Sequence, residues 1–207
     1  METAMRVSRE QAEENQQTVL NTDCRLFCEQ GFDGIGLKDL MKGAGLTQGA
    51  FYKQFASKDD LIVQASGRAM KSGDRRWASA VEAQPEDPLA SVVAFYLSME
   101  HRAQRMDGCP IVALSGDAAR KGAEVKAPFE AGIRAYLEQI GDWIGESEGD
   151  GPGLKVMATL STMVGAMMLS RAINDEGLSR QILEFASQSI LNRPRCTDAA
   201  AEKLWVQ

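Results

Sequence analysis

The amino-acid sequence predicts an all-α chain, on three observations. Apolar residues recur at spacings of three and four over most of the chain, which is the period of an amphipathic helix. No sustained alternation of apolar and polar residues stands between turn dipeptides, so strand signals are nearly absent. Glycine and proline interrupt the helical pattern at intervals, and so divide it into separate helices.

Three short helices are predicted in the N-terminal quarter of the chain. Ser8 has capping-box spacing and opens the first helix, which Gly31 ends in the manner of a C′ glycine. A second helix is predicted over residues 37–44. Thr47 has a side chain that can cap a third helix, over residues 48–55.

A longer helical body is predicted for the rest of the chain. Ser57 caps its first helix, and Pro88 suits the first position of the next one. Pro128 lies inside a helical pattern, so that helix is expected to start or bend near Ala127. The predicted ranges are 58–83, 88–107, 111–121, 127–145, 154–174 and 178–192. We therefore divide the chain into an N-terminal domain (residues 8–57), a larger helical domain (58–194) and a weakly ordered tail (195–207).

Composition and charge exclude several classes of protein. With 207 residues and 44% hydrophobic residues the chain can build a core, which excludes wholesale disorder. A formal net charge of −6 argues against a protein that coats nucleic acid over its whole surface, although a local basic patch remains compatible with it. The start of the chain lacks the pattern of a signal peptide, and no uninterrupted apolar stretch is long enough to cross a membrane. With four cysteines, this predicts a cytoplasmic chain with reduced thiols and no membrane partner.

Catalytic and metal-site signals are missing from the sequence. A single histidine, His101, argues against a multi-histidine metal site and a Ser-His-Asp hydrolase. We find no nucleophile–base pair, no phosphate-binding loop and no cluster of metal ligands. We therefore expect a protein that is not an enzyme, with no cofactor and no metal site.

Residues 37–55 have the pattern of a helix-turn-helix, in which two helices are joined by a short turn that contains glycine, here Gly45. In such motifs the second helix enters the major groove of DNA. Close approach to DNA needs small side chains, and contacts with base edges and phosphates need polar donors.

A helical wheel sorts the residues of the second helix into two faces. Phe51 defines the buried side, with Gln48 near it. Gly49 and Lys53 lie on the opposite side, beside Tyr52. The predicted outward face is therefore small and cationic and carries an aromatic hydroxyl.

A basic island coincides with this segment. Between residues 38 and 58, four lysines stand against one aspartate, for a local charge of +3: they are Lys38, Lys42, Lys53, Lys58 and Asp39. A solvated helical face in an ordinary bundle would show a similar pattern, so wheel and charge alone leave both interpretations open.

Residues 31–61 closely resemble the DNA-binding segment of the TetR family of bacterial transcriptional regulators. The most specific part is GAFYKQFASK at residues 49–58, which is similar to the family's small-x-aromatic-Tyr-x-His-Phe-x-Ser-Lys signature. The resemblance implies that base edges are faced by Gln48, Gly49 and Lys53, and that phosphates are held by Tyr52 and Lys58. It further implies that Thr47 caps the recognition helix beside the DNA backbone.

The sequence departs from the family pattern at three places. Gln54 stands where the family usually has histidine, and it can still donate to a phosphate. Ile35 and Gly36 occupy the place of a capping Thr or Ser, and helix 1 has Gln16 and Gln17 where a basic residue would help to bind phosphate. These departures predict fewer phosphate contacts and a shallower salt dependence.

The resemblance implies a homodimer that binds a palindromic operator in double-stranded DNA and responds to a small-molecule effector, most simply as a repressor. In residues 154–174 a stripe at 3-4-3-4 spacing suits the dimer interface that this family forms from its last two helices: Leu154, Met157, Ser161, Val164 and Met168. The candidates for lining an effector cavity are Phe95, Tyr96, Met99, Phe129, Ile133, Tyr136 and Met163.

Two alternatives stand beside this interpretation. Cys109 lies at a turn that opens a helix, where free N–H groups favour a thiolate, so the chain could sense redox or electrophilic signals. The departures from the family pattern also leave open a helical ligand-binding protein that has lost DNA binding.

Overall fold

The computed structural model describes residues 9–146 and 153–192, and within these ranges the chain forms ten α-helices and no strand. The helices are α1 (Arg9–Gln30), α2 (Leu37–Gly43), α3 (Gln48–Phe51), α4 (Lys58–Ala83), α5 (Pro88–Tyr96), α6 (Met99–Ala103), α7 (Pro110–Ala119), α8 (Ala123–Ile144), α9 (Leu154–Ala172) and α10 (Glu176–Leu191). The all-α prediction is confirmed. The predicted cap at Ser8 and the predicted tail lie outside the described residues.

No helix within those ranges combines the length and the apolar character that crossing a membrane requires.

The turns of the N-terminal domain fall where glycine predicted them. Gly31 ends α1 at φ +78°, and Gly45 follows α2 at φ +70°. Both lie in the left-handed region, which glycine adopts without the steric cost of a Cβ. These two turns fold α1, α2 and α3 into a compact unit and set the angle of the helix-turn-helix.

α3 is shorter than the sequence predicts. It spans Gln48–Phe51, and the chain then turns, with amides of residues 53 and 54 bonded to carbonyls three residues earlier. The prediction that α3 runs to residue 55 is therefore wrong, because this last turn tightens into a 3₁₀ pattern before α4 begins. The side chain of Thr47 makes no capping hydrogen bond. Gln48 is exposed rather than buried, because a wheel drawn over eight residues does not describe a four-residue helix.

α4 has the predicted bounds at both ends. The hydroxyl of Ser57 accepts a hydrogen bond from the amide of Asp60 at 3.0 Å, which satisfies one of the free N–H groups at the start of the helix. α4 packs against α1 in the N-terminal domain and against α5 and α8 in the body. This 26-residue helix therefore joins the two parts of the molecule.

Two predictions about the body are wrong in detail. The single helix predicted over residues 88–107 is split into α5 and α6, because extended Ser98 caps a new helix by accepting from the amide of His101 at 3.0 Å. α8 begins at Ala123 and continues through Pro128, so the predicted start near residue 127 is wrong, whereas the alternative of a bend there stays a prediction. Proline has no N–H, so Pro128 cannot donate to the carbonyl of Glu124, an exposed residue in the first turn of α8.

The hydrophobic core forms two clusters. One lies in the body, around Trp77, Tyr96 and Tyr136. The other fills the N-terminal domain, yet it also contains residues of α7 and α8, such as Leu114 and Phe129. The body therefore contributes directly to the core of the N-terminal domain.

Candidate nucleic-acid interface and helical body

The outward face of α3 and the turn after it consists of exposed side chains. Gln48, Gly49 and Lys53 are exposed, and Tyr52 is 68% exposed. The ring of Tyr52 meets the ring of Phe51 edge-on at 5.1 Å, which holds the tyrosine while its hydroxyl end stays in solvent. Four of the predicted DNA contacts are thus brought together on one accessible surface.

The opposite face of this segment is anchored in the core. Phe51 and Phe55 are buried and their rings stack at 5.4 Å. They belong to one cluster with Leu40 and Met41 of α2. α3 is too short to be stabilised by many backbone hydrogen bonds of its own. The packing of this buried aromatic pair holds α3 against α2 instead.

Lys58 has a structural contact that the sequence did not predict. Its Nζ donates to the backbone carbonyl of Ile35 at 2.8 Å, just before α2 begins. The lysine therefore ties the start of α4 to the start of α2. Its ammonium carries three donors, so donors remain for a phosphate.

Gln54 and Thr47 are placed less favourably for contact with DNA than the residues of the outward face. The side-chain oxygen of Gln54 is buried and has no hydrogen-bond partner in the part of the chain that the structure describes. Thr47 is exposed at the N-terminal end of α3, and its hydroxyl is not used for capping. Three further charged side chains nearby, Lys38, Asp39 and Lys42, are exposed on α2.

The predicted effector-binding residues do not share one cavity. Phe95, Tyr96 and Tyr136 line a space of about 10 Å³ in the body. That volume holds about one water molecule. Phe129 and Ile133 instead line an open cleft of about 600 Å³ between α7 and α8. Met99 and Met163 pack in the core of the body and line neither space.

The small interior space has polar walls that the sequence did not assign. Its lining includes Arg76, His101 and Cys109 beside aromatic rings. Burial lowers the pKa of His101 to about 4, so its imidazole is neutral near pH 7. Its Nδ1 lies 2.7 Å from the carbonyl oxygen of Tyr96, which fits a proton on that nitrogen. These residues are far apart in the sequence, so no sequence pattern indicated that they lie together.

Cys109 is buried at the start of α7. Burial raises the pKa of the neighbouring Tyr96 hydroxyl well above its usual range, and Cys109 adds to this rise. The thiol thus lies inside the body, against the wall of the small interior space.

Polar contacts join the N-terminal domain to α7 and the segment before it. The carboxylate of Asp117 accepts from the backbone amide of Phe32 at 2.9 Å, at the turn after α1. Arg25 on α1 pairs with Asp107 at 2.8 Å. A displacement of α7 would therefore directly change the contacts of α1 and of the turn that follows it.

A concentrated apolar surface lies on the last two helices. Eight large hydrophobic side chains are exposed among the described residues, and seven of them are on α9 and α10: Leu154, Met157, Met168, Leu169, Leu178, Phe185 and Leu191. The eighth is Tyr52. An apolar face of this extent is typical of a surface that packs against another protein chain.

Comparisons with known proteins agree with this architecture. Residues 20–65 match the family model described as bacterial regulatory proteins, tetR family. The HTH-type transcriptional regulator EthR of Mycolicibacterium smegmatis is 31% identical over 87 residues, which are 42% of this chain and 40% of that protein. The HTH-type transcriptional repressor NemR of Escherichia coli is 25% identical over 122 residues, which are 58% of this chain and 61% of NemR. The chain thus matches less than two thirds of each of these relatives.

Solved structures extend the likeness of the fold over most of the chain. The reduced form of E. coli NemR superposes with a TM-score of 0.73 at 20% identity, covering 88% of this chain and all of that one. AibR, solved in complex with isovaleryl coenzyme A and operator DNA, superposes with a TM-score of 0.60 at 15% identity, covering 84% of this chain and 97% of that one.

Proposed function

Since the chain belongs to the TetR family of bacterial transcriptional regulators, we propose that it is a sequence-specific DNA-binding protein that acts as a homodimeric repressor. The observation that carries the proposal is the exposed face formed by Gly49, Tyr52 and Lys53, held on a buried aromatic anchor. Glycine permits close approach to the groove, the lysine supplies a donor for bases, and the tyrosine hydroxyl suits a phosphate. Gln48 joins this face as a second base-reading side chain.

Phosphate contacts at the edges of this face are assigned to four side chains. Lys58 binds phosphate with the donors that its bond to Ile35 leaves over. Thr47 contributes a free hydroxyl at the start of α3. Gln54 is the weakest member of the set because its amide oxygen is buried. Tyr52 and Lys58 therefore carry most of the sequence-independent affinity.

The homodimer forms through α9 and α10. Their exposed apolar side chains, with Leu169 at 60% and Phe185 at 67% exposure, would be covered by the same face of a second copy. Two-fold symmetry places two recognition helices one helical turn of DNA apart, about 34–36 Å, and so selects a palindromic operator.

Effector binding couples to DNA release through α4. Gly73 and Trp77 of α4 form part of the wall of the small interior space, opposite Tyr96 and Tyr136. Because that space holds only about one water, a larger small molecule must push α4 away from its neighbours. The other end of α4 carries Ser57 and Lys58 beside the recognition helix. The effector thus favours a conformer in which the two recognition helices no longer match the operator.

AibR is a relative of this fold solved with both a coenzyme A thioester and operator DNA. A protein with this fold can therefore bind both DNA and a small molecule, which supports the two roles proposed here.

A selection experiment tests the proposal. Full-length protein is used to enrich a random DNA library, and Lys53→Ala is carried in parallel. We expect the wild type to enrich a palindrome whose half-sites lie about one helical turn apart. A library that stays random through repeated rounds would contradict DNA recognition and favour a ligand-binding protein that has lost it.

A second candidate function is thiol sensing at Cys109. It is supported by the position of this thiol directly after Asp107 and Gly108, whose contacts with Arg25 and Arg76 join the segment to α1 and α4. Adding oxygen to the buried sulfur would disturb that segment. Mild peroxide should then weaken operator binding of the wild type and leave Cys109→Ser unaffected; equal behaviour of the two proteins would exclude the sensor.

A further inference from the structure

A cationic cleft lies between α1 and the middle of α4. Its volume is about 230 Å³, and residues 106–108 of the body belong to its lining. Four arginines line it: Arg25, Arg68, Arg75 and Arg76. The only carboxylate in the lining is Asp107, so the lining carries a formal charge of +3 in a chain whose net charge is −6.

Three of the guanidinium groups are held in place by the protein itself. Arg25 forms an ion pair with Asp107 at 2.8 Å, and Arg68 donates to the side-chain oxygen of Asn21 at 2.7 Å. Arg76 donates to the carbonyl of Gly108 at 2.8 Å. A guanidinium carries five N–H donors, so each of these groups is oriented and still has donors left for a ligand.

Arg75 supplies the fourth guanidinium. It lines the same cleft, and its positive charge also acts on the neighbouring Asp74, whose pKa it lowers against the larger effect of burial. Three oriented guanidinium groups and a fourth cation around a small volume match what an oxyanion requires.

Distance separates this cleft from the proposed DNA surface. α1 and α4 run in the same direction, since Gln16 contacts Gln64 and Asn21 contacts Arg68. Arg68 and Arg76 lie ten and eighteen residues along α4 from Lys58. At 1.5 Å per residue they are about 15–27 Å from the end that faces DNA. The positive charge therefore does not serve the operator contact.

From these observations we propose that the cleft between α1, α4 and residues 106–108 binds a phosphate group, either as inorganic phosphate or as a small phosphate monoester. The planar forks of several arginines fit the tetrahedral oxygens of phosphate bidentately. The volume is too small for a drug-sized ligand but fits a phosphate with a few attached atoms.

A phosphate in this cleft would bridge the two parts of the molecule. Its oxygens contact α1 of the N-terminal domain through Arg25 and α4 through Arg68, Arg75 and Arg76. It also competes with Asp107 for Arg25. Its effect on operator binding rests on the proposed function, whereas the binding site itself does not.

Isothermal titration calorimetry without DNA tests the site. Inorganic phosphate and glycerol phosphate are titrated separately into full-length protein at fixed ionic strength. We expect saturable binding of one phosphate group per chain, with the tighter of the two probes identifying free phosphate or a monoester as the natural source.

Matched charge variants make the test specific. Arg75→Gln should weaken binding about tenfold, because it removes a charge-assisted contact. Arg134→Gln removes the same charge from an exposed pair with Glu130 on α8 and should leave affinity unchanged. The proposal is overturned if neither probe binds saturably, or if the two variants weaken binding equally. Since DNA is absent, this result stands apart from success or failure of operator selection.

Discussion

Asp23 is the residue whose environment is least expected from the sequence. It lies fully buried on α1, and neither carboxylate oxygen has a hydrogen-bond partner among the described residues. Burial raises the pKa of Asp23 from 3.8 to about 7, and no charged neighbour contributes to the shift. The folded state thus holds a proton that the unfolded chain releases above pH 4.

The stability of the protein should therefore fall as pH rises from about 4 to 7. In this window the folded state binds more protons than the unfolded state, so the free energy of unfolding decreases with pH. Asp23→Asn removes the titration, and relative to it the wild type should lose about 3 kcal/mol between pH 5 and 8. Urea unfolding at fixed protein concentration measures this, and a constant difference between the two proteins across that range would contradict the burial argument.

Base-reading and phosphate-binding side chains should behave differently when removed. Lys53→Ala should cost about 1–3 kcal/mol at the operator and relax its specificity. Gln48→Ala should do the same. Tyr52→Phe and Lys58→Ala should weaken operator and random DNA to a similar degree, because phosphates carry no sequence. The reverse pattern in competition titrations would mean that a different face of α3 meets the bases.

At the scale of the element, the contact between α4 and α8 depends on glycine. A Cβ built on Gly73 would lie 2.0 Å from the hydroxyl oxygen of Tyr136. The ring of Tyr136 cannot move away freely, since it is buried and stacks on Trp77 at 4.3 Å. Position 73 of α4, which lines the interior space, therefore requires glycine.

Gly73→Ala should destabilise the fold by about 1–3 kcal/mol despite the better helix propensity of alanine. Gly116→Ala is the matched control on α7, because its only near atom is the tip of Arg120 at 4.0 Å. That control should gain up to about 1 kcal/mol. Thermal unfolding compares the two variants. Stabilisation by both substitutions would contradict the predicted clash between a side chain at position 73 and Tyr136.

The apolar face of α9 and α10 predicts the oligomeric state. Phe185→Asp and Leu169→Asp place a charge in the proposed interface, and each should convert a dimer into monomers of 22.5 kDa. Ala127→Asp changes an exposed residue of α8 in the same way and should leave the dimer intact. Light scattering on a sizing column reports the mass, and a monomeric wild type would refute the dimer.

At the element scale, sequence reasoning succeeded for α4, because local signals define both of its ends. Ser57 and the breaker-rich segment after Ala83 defined α4 because caps and turns are local signals. It failed at the end of α3, where the chain tightens into a 3₁₀ pattern while Phe51 and Phe55 stay packed in one cluster with residues of α2. It also missed the cap at Ser98 that separates α5 from α6.

At the scale of the whole molecule, long-range packing decides what the sequence could not. The exposed face of α3 followed from a motif and was foreseen. The split of the predicted effector residues between a small interior space and an open cleft depends on how α4, α7 and α8 meet, which no local pattern encodes. The arginine cleft joins residues 25 and 75 across two helices and was missed for the same reason.

The most direct test of the account is a fluorescence anisotropy titration on the palindrome enriched by selection and on DNA from upstream of the gene. Both are measured at two salt concentrations with excess random competitor. We predict tight, competitor-resistant and salt-sensitive binding with two protomers per site on at least one of them. Weak binding that random DNA abolishes on both would contradict the proposal that this protein is a sequence-specific regulator.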